Sequence, residues 1–166
     1  RGSLVLGVTR RRGDELVALA ELSIQPRNGR VPGNFRPKVF PGDPEMVPYI
    51  CNLAVDEGHR QRGIARALMN VCEGVARELW GYGELYLHVD SRNAAAVRLY
   101  RELGYEPLPR WDVPEWKEEA LGLVPNRYHR KVISLDPDYQ PFQDPLPEEG
   151  VEERAGAATL GFAVPS

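Results

Sequence analysis

Three arginines crowd one glycine in Arg60-Gln61-Arg62-Gly63-Ile64-Ala65-Arg66. The apolar periodicity downstream predicts a helix starting here, directly after an apolar strand. A helix start exposes free backbone N–H groups and carries partial positive charge, so Arg60, Arg62 and Arg66 are unfavourable neighbours for it. An anion removes the conflict, because N–H groups, dipole and guanidinium groups then attract the same ligand. Gly63 and the small Ala65 let a phosphate approach the backbone closely. A solvated basic face on an amphipathic helix would account for the arginines, but not for the small residues set among them. Other phosphate motifs are absent: there is no GxxxxGK[ST] and no GxGxxG.

A second group of residues could move protons. His88 lies in the alternating run Glu84-Leu85-Tyr86-Leu87-His88-Val89, on the face opposite Leu85, Leu87 and Val89. Its ordinary pKa suits proton pickup near neutrality, and the competing reading is a satisfied core histidine. Tyr49 opens the preceding strand and could pair with His88 through ordered water. Glu21 is the reserve carboxylate, read first as a charge on a solvated strand face. Cys51 and Cys72 sit in apolar stretches with no evident activating partner and are read as core. Trp111, Trp116, Tyr128 and His129 either line a groove or simply pack.

The elements that must position these residues can be read from periodicity and turn signals. Leu4–Arg10 and Glu15–Ile24 read as a hairpin around Gly13-Asp14. Gln25 to Pro48 is a long loop rich in proline and glycine, a length usually reserved for function or mobility. Tyr49–Val55 is a strand with Tyr49, Cys51, Leu53 and Val55 on one face. A helix over Gln61–Trp80 buries Ile64, Ala65, Leu68, Val71, Cys72, Val75 and Leu79. The strand of His88 leads to a second helix, Asn93–Leu103, closed by Gly104. Pro107 onward is loop, and Arg127–Leu135 is the last strand. The order predicts a mixed α/β layer, helices crossing over one sheet.

The chain has 166 residues, enough for one compact domain. It is 42% hydrophobic and 27% charged, with a net charge of −3 that is unevenly spread. Residues 136–166 hold seven acids against Arg154, so −6 falls there and +3 on residues 1–135. We read 1–135 as one domain and 136–166 as an acidic, proline-rich arm whose apolar end, Ala157 to Val164, could dock. A mildly basic body suits a small anionic ligand better than a nucleic acid. No apolar run approaches ~18 residues, so no membrane span is expected. The opening residues lack a secretory signal pattern. Two cysteines outside any CxxC pair speak against a disulfide scaffold or zinc site and fit a reducing compartment.

Two segments in this order resemble the GNAT superfamily of acetyl-CoA-dependent N-acetyltransferases. Arg60-Gln61-Arg62-Gly63-Ile64-Ala65 matches the family's [Q/R]-x-x-G-x-[G/A] loop. Asn93-Ala94-Ala95-Ala96-Val97-Arg98-Leu99-Tyr100-Arg101-Glu102-Leu103-Gly104-Tyr105 matches N-x-x-A-x-x-L-Y-x-x-x-G-[F/Y]. The resemblance spans about Leu4 to Leu135 and leans toward plastid enzymes that acetylate protein lysines and N-termini. It departs in lacking an evident strand and two helices ahead of Leu4, in having Ala65 at the second loop glycine, and in the acidic arm.

The resemblance implies an α/β (α+β) fold with a mostly antiparallel sheet and a splayed strand pair. It implies acetyl-CoA as donor, no metal, and an amine of a protein or peptide as acceptor. Leu53, Ala54 and Val55 would lend backbone groups to the pantetheine arm, with an N–H near Leu53 as oxyanion donor. Arg60, Gln61, Arg62, Gly63, Ile64, Ala65 and Arg66 would hold the pyrophosphate. Asn93 is an N-cap, a cofactor ligand or both. Tyr100 would be the acid that protonates the departing thiolate, although its spacing alone reads as core. His88 would be the base, directly or through water, with Tyr49 beside it. The alternatives are a small-molecule amine acetyltransferase and a non-catalytic acyl-CoA-binding module, which would keep the arginine loop without needing Tyr100 or His88. The implied location is the plastid stroma, otherwise the cytoplasm.

Overall fold

The computed structural model describes residues 3–10, 15–29, 31 and 45–142. The turn at Gly13-Asp14, most of the Pro/Gly-rich loop before Glu45, and the arm beyond Phe142 with its apolar end lie outside the described residues. The strands are β1 (Ser3–Thr9), β2 (Leu16–Pro26), β3 (Met46–Val55), β4 (Glu84–Asp90), β5 (Glu106–Pro107) and β6 (Asn126–Val132). The helices are α1 (Ile64–Gly74), α2 (Ala94–Glu102) and α3 (Glu115–Leu121). The expected mixed α/β architecture is present: one six-stranded sheet in the order β1-β2-β3-β4-β6-β5. Every pair is antiparallel except β3 and β4. A parallel pair needs a crossover, and α1 supplies it.

Each sheet face carries its own core. Leu22, Ile50, Leu85, Leu87, Met69, Cys72 and Tyr100 share the larger one, under α1 and α2. Val47, Tyr49, Tyr86 and Tyr128, with Cys51, Leu108 and Trp111 beside them, form the smaller one on the opposite face. The period-two alternation of β4 accounts for this split, since Leu85 and Leu87 face one way and Tyr86 the other.

The helix expected over Gln61–Trp80 is shorter at its start and changes form at its end. Gln61 (φ 59°) and Gly63 (φ 78°) are left-handed, so regular helix begins only at Ile64. From Val75 to Leu79 the helix widens to π geometry, which rotates the phase of its final turn. Val71 and Leu79, expected in the buried stripe, are exposed, and Met69 and Ala76 take their places. The region after Pro107, expected as loop, contains α3. It starts after Pro114 and ends at Gly122 (φ 60°), a left-handed position that glycine favours at a helix end. The last strand stops at Val132, because the N–H groups of Ile133 and Ser134 both donate to the Gly83 carbonyl.

Residues 136–142, assigned to the arm by composition, are held against the sheet. Phe142 N–H donates to Glu84 Oε1 (2.7 Å), Arg130 Nη1 donates to Phe142 O (3.1 Å), and the Arg27 guanidinium stacks on the Phe142 ring. No described helix is long and apolar enough to cross a membrane.

Candidate active site

The site begins with a fault in the sheet. Along β2 and β3, Glu21 pairs with Cys51 but Leu19 pairs with Ala54, so β3 carries one extra residue. Such a bulge bends the strand and reverses its alternation. Asn52 absorbs it in a left-handed conformation (φ 53°), one that asparagine tolerates better than most residues. Tyr49 and Cys51 consequently lie with the smaller core, whereas Leu53 and Val55 lie with the larger one. The single face expected for Tyr49, Cys51, Leu53 and Val55 is thus divided in two. Glu21 holds the bulge: its carboxylate accepts from Asn52 Nδ2 and from Ser3 Oγ, both at 2.8 Å, and these bonds hold its pKa low. It is not the idle surface charge that its sequence position suggests.

The parallel ladder between β3 and β4 has only two registered pairs, Tyr49 with Tyr86 and Ile50 with Leu87. Beyond Ile50 the strands part, and the β3 edge turned toward β4 loses its partner. A cleft of about 630 Å³ opens there. Leu53, Ala54 and Val55 line it from β3, Arg60, Gln61, Gly63, Ile64, Ala65 and Arg66 from the turn and α1, and Asn93 and Tyr100 from α2. Every residue expected to hold the cofactor is in this wall except Arg62, which is exposed between the two left-handed residues and does not line the cleft. Arg98 and Glu102, on the same helix as Tyr100, also line it and were not foreseen.

The polar groups of the cleft suit an anion. Gly63 caps α1 without any side-chain hydrogen bond, leaving first-turn N–H groups uncapped. Arg60 Nε donates to Val55 O (3.1 Å), fastening the turn to the strand end, and Arg66 bridges to Glu102 (2.7 Å). Asn93 is the N-cap of α2, its Oδ1 accepting from Ala96 N–H at 3.1 Å, and it faces the cleft as well. Tyr100 is buried, packs edge-on against Tyr105 (5.8 Å between centroids), and has its phenol pushed up to about 12, chiefly by burial.

On the opposite face, the Tyr49 hydroxyl lies 2.9 Å from His88 Nδ1, and His88 Nε2 lies 2.9 Å from the Gly29 carbonyl. The pair is in direct contact, with no water needed between them. A carbonyl only accepts, so the Gly29 contact is a hydrogen bond only when Nε2 carries the ring hydrogen, the tautomer in which Nδ1 can accept from Tyr49. Burial lowers the His88 pKa, and the Gly29 carbonyl partly opposes that. Burial raises the Tyr49 phenol well above its usual range. His88 therefore holds a free lone pair near neutral pH but spends it on Tyr49.

The remaining candidates separate cleanly. Tyr128 stacks on Tyr86 and lies 4.6 Å from His88, and Trp111 meets Tyr128 edge-on. Both pack in the smaller core, while Trp116 is 70% exposed. His129 Nδ1 donates to the Arg127 carbonyl. Cys72 is buried, as expected, but Cys51 is only half-buried. Burial pushes both thiols up to about 11, with Glu21 adding to the effect at Cys51 and Glu73 at Cys72, so neither is an activated nucleophile.

Comparison with known proteins bears on this arrangement directly. The profile described as Acetyltransferase (GNAT) family matches residues 2–105. GCN5-related N-acetyltransferase 4, chloroplastic, of Arabidopsis thaliana is 32% identical over 72 residues, which are 43% of this chain and 24% of that protein. The chain thus spans about a quarter of the length of the curated relatives it first matches. Among solved structures, the ribosomal-protein-S18-alanine N-acetyltransferase of Escherichia coli has a TM-score of 0.56 at 22% identity, covering 86% of this chain and 77% of that one. A spermidine N-acetyltransferase mutant of Vibrio cholerae has a TM-score of 0.55 at 19% identity, covering 79% and 66%.

Proposed function

The chain belongs to the GNAT acetyltransferase family, and from that premise we propose that it transfers an acetyl group from acetyl-CoA to an amine of a protein or peptide, directly, within a ternary complex. One observation carries the reading: the uncapped start of α1, the unpaired edge of β3 and Tyr100 all border one cleft. In this reading the diphosphate sits on the turn around Gly63, held by first-turn N–H groups and Arg60 and Arg66. The pantetheine arm runs along Leu53–Val55, where the free strand edge offers it hydrogen bonds. The acetyltransferase body in this reading runs through Phe142, which is tied to Glu84 and Arg130.

The acceptor arrives as an ammonium. Tyr49 is buried on the sheet face opposite the cleft, so the ammonium proton reaches its oxygen through ordered water as the Tyr49 hydroxyl proton passes to His88 Nδ1, making an imidazolium. The neutral amine then attacks the thioester carbon. A C–N bond forms, and the carbonyl π pair moves onto oxygen, where a main-chain N–H near Leu53 stabilises it. Collapse breaks the C–S bond. Tyr100 protonates the departing sulfur and recovers a proton from the new amide nitrogen. The products are the N-acetylated acceptor, CoA thiol, and one proton left on His88 for solvent.

An α-amine of pKa ~8 gives up its proton about 3 kcal/mol more readily than a lysine of pKa ~10.4, whatever the base, and burial keeps His88 a weak base. An N-terminal α-amine is the better acceptor. The likeness to a spermidine N-acetyltransferase supports the second reading, a small-molecule amine. Relatives named as chloroplastic support a plastid setting. Incubation with acetyl-CoA, a peptide library and a polyamine panel, read by mass spectrometry that separates α-amine from ε-amine products, tests the assignment. Product on polyamines alone would replace it with the second reading, and no product on any amine would remove the activity.

A further inference from the structure

The Tyr49–His88 pair works as a base in one tautomer only. If the ring hydrogen sat on Nδ1, the tautomer would present a donor to the Tyr49 hydroxyl and could take no proton from it. Something must fix the hydrogen on Nε2, and the contact at that nitrogen is the main-chain carbonyl of Gly29, 2.9 Å away. We propose that the main chain of Gly29 is a positioning element of the reaction: seated on Trp111, it locks His88 as the Nε2–H tautomer and so aims the Nδ1 lone pair at Tyr49. The inference rests on the reading of Tyr49 and His88 as the base.

The seat explains why the carbonyl stays in place. Gly29 is left-handed (φ 65°), and a β-carbon there would lie 2.6 Å from Trp111 Cβ and 2.9 Å from its Cε3. Only glycine combines that backbone conformation with so close an approach. Trp111 is fixed in turn by its edge-on contact with Tyr128, whose ring lies 4.6 Å from His88. A closed circuit results, running from Gly29 to Trp111, to Tyr128, to His88 and back by the hydrogen bond. It joins the segment after β2, the turn after β5, and strands β6 and β4. The titratable groups facing His88 are Tyr49 on β3, Tyr128 and His129 on β6, and Asp112 in the turn after β5. Tyr128 N–H donates to the Asp112 carboxylate (2.9 Å), so this carboxylate is already engaged by the strand it faces. The Gly29 carbonyl is what remains to choose the tautomer.

The test is the tautomer itself. Long-range proton–nitrogen correlation spectra of the full chain report the hydrogen position on each histidine ring; the chain has three histidines, and loss of one signal set in His88→Gln assigns the site. Wild type is expected to show the neutral Nε2–H form near pH 7. In Gly29→Ala the tautomers should mix, and kcat should fall roughly fivefold to tenfold, the loss of about one hydrogen bond, with KM for acetyl-CoA unchanged. An Nδ1–H form in wild type overturns the proposal without any variant, so a Gly29→Ala chain that fails to fold does not shield it. Gly29→Ala retaining a pure Nε2–H form overturns it too, and so does a mixed tautomer at undiminished kcat. Full turnover in His88→Gln removes the base reading instead, while the spectra still judge the lock.

Discussion

Arg66 and Glu102 meet at 2.7 Å across the cleft, joining the first turn of α1 to the last residue of α2. Both side chains are partly exposed and both line the space between the helices. The bridge is a weak surface pair, and it occupies a cation that an incoming phosphate would use. Glu102→Gln should therefore lower KM for acetyl-CoA a few-fold, with the gain shrinking as salt is raised. Steady-state kinetics at two ionic strengths check this. A raised KM would make the bridge a structural brace.

Tyr100→Phe separates binding from chemistry. The hydroxyl makes no hydrogen bond to a described residue, so the fold should lose little. Turnover should drop by about 100-fold or more, the usual contribution of a positioned acid, while acetyl-CoA still binds with near wild-type affinity. Titration calorimetry beside kcat measurements decides. Equal turnover would take the acid role from Tyr100.

His88 links stability to pH with a definite sign. Its folded pKa lies below the ordinary 6.5, so the unfolded chain binds more protons in the interval between the two. Its contribution is fully present above pH 6.5 and is lost as pH falls toward the folded value, at up to about 1.4 kcal/mol per pH unit. Urea unfolding at pH 5.5 and 7.5 should show this loss in wild type and a smaller one in His88→Gln. Activity should rise over the same interval as the imidazole frees its lone pair.

The bulge at Asn52 can be probed by residue type. Asn52→Gly loses the bond to Glu21 but keeps the left-handed conformation at no steric cost, so the bulge should persist. Asn52→Val loses the same bond and also forces a β-branched residue to φ 53°, which should cost about 1–3 kcal/mol more and turn the Leu53 edge away from the cleft. Thermal unfolding and kcat of the two variants check it. A valine variant as active and as stable as the glycine one would show that the bulge does not depend on that residue.

Local patterns announced much of this architecture. The glycine turn, the α2 motif with its N-cap Asn93, and the opposed faces of β4 are short-range features, written in neighbouring residues. What escaped was set by tertiary structure or by main-chain groups. The extra residue at Asn52 is defined only against β2, so Leu53 and Val55 could not be seen to change sides. The π turn after Gly74 moved Leu79 out of a stripe that ideal periodicity had closed. Arg62 belongs to the motif, yet two left-handed neighbours leave it outside the cleft. Tyr49 and His88 were paired correctly but at the wrong distance. Gly29 takes part through a carbonyl that every residue possesses, and α3 was hidden by the prolines around it.

The two-rung junction between β3 and β4 has one more consequence. The sheet amounts to two antiparallel panels, β1-β2-β3 and β4-β6-β5, stitched together at Tyr49–Tyr86 and Ile50–Leu87. A seam this short lets the panels flex about it at little expense in broken backbone bonds. Side-chain packing then carries much of the junction: Ile50 and Leu87 are both buried in the larger core, and trimming either to alanine should cost about 2–5 kcal/mol of stability in thermal unfolding.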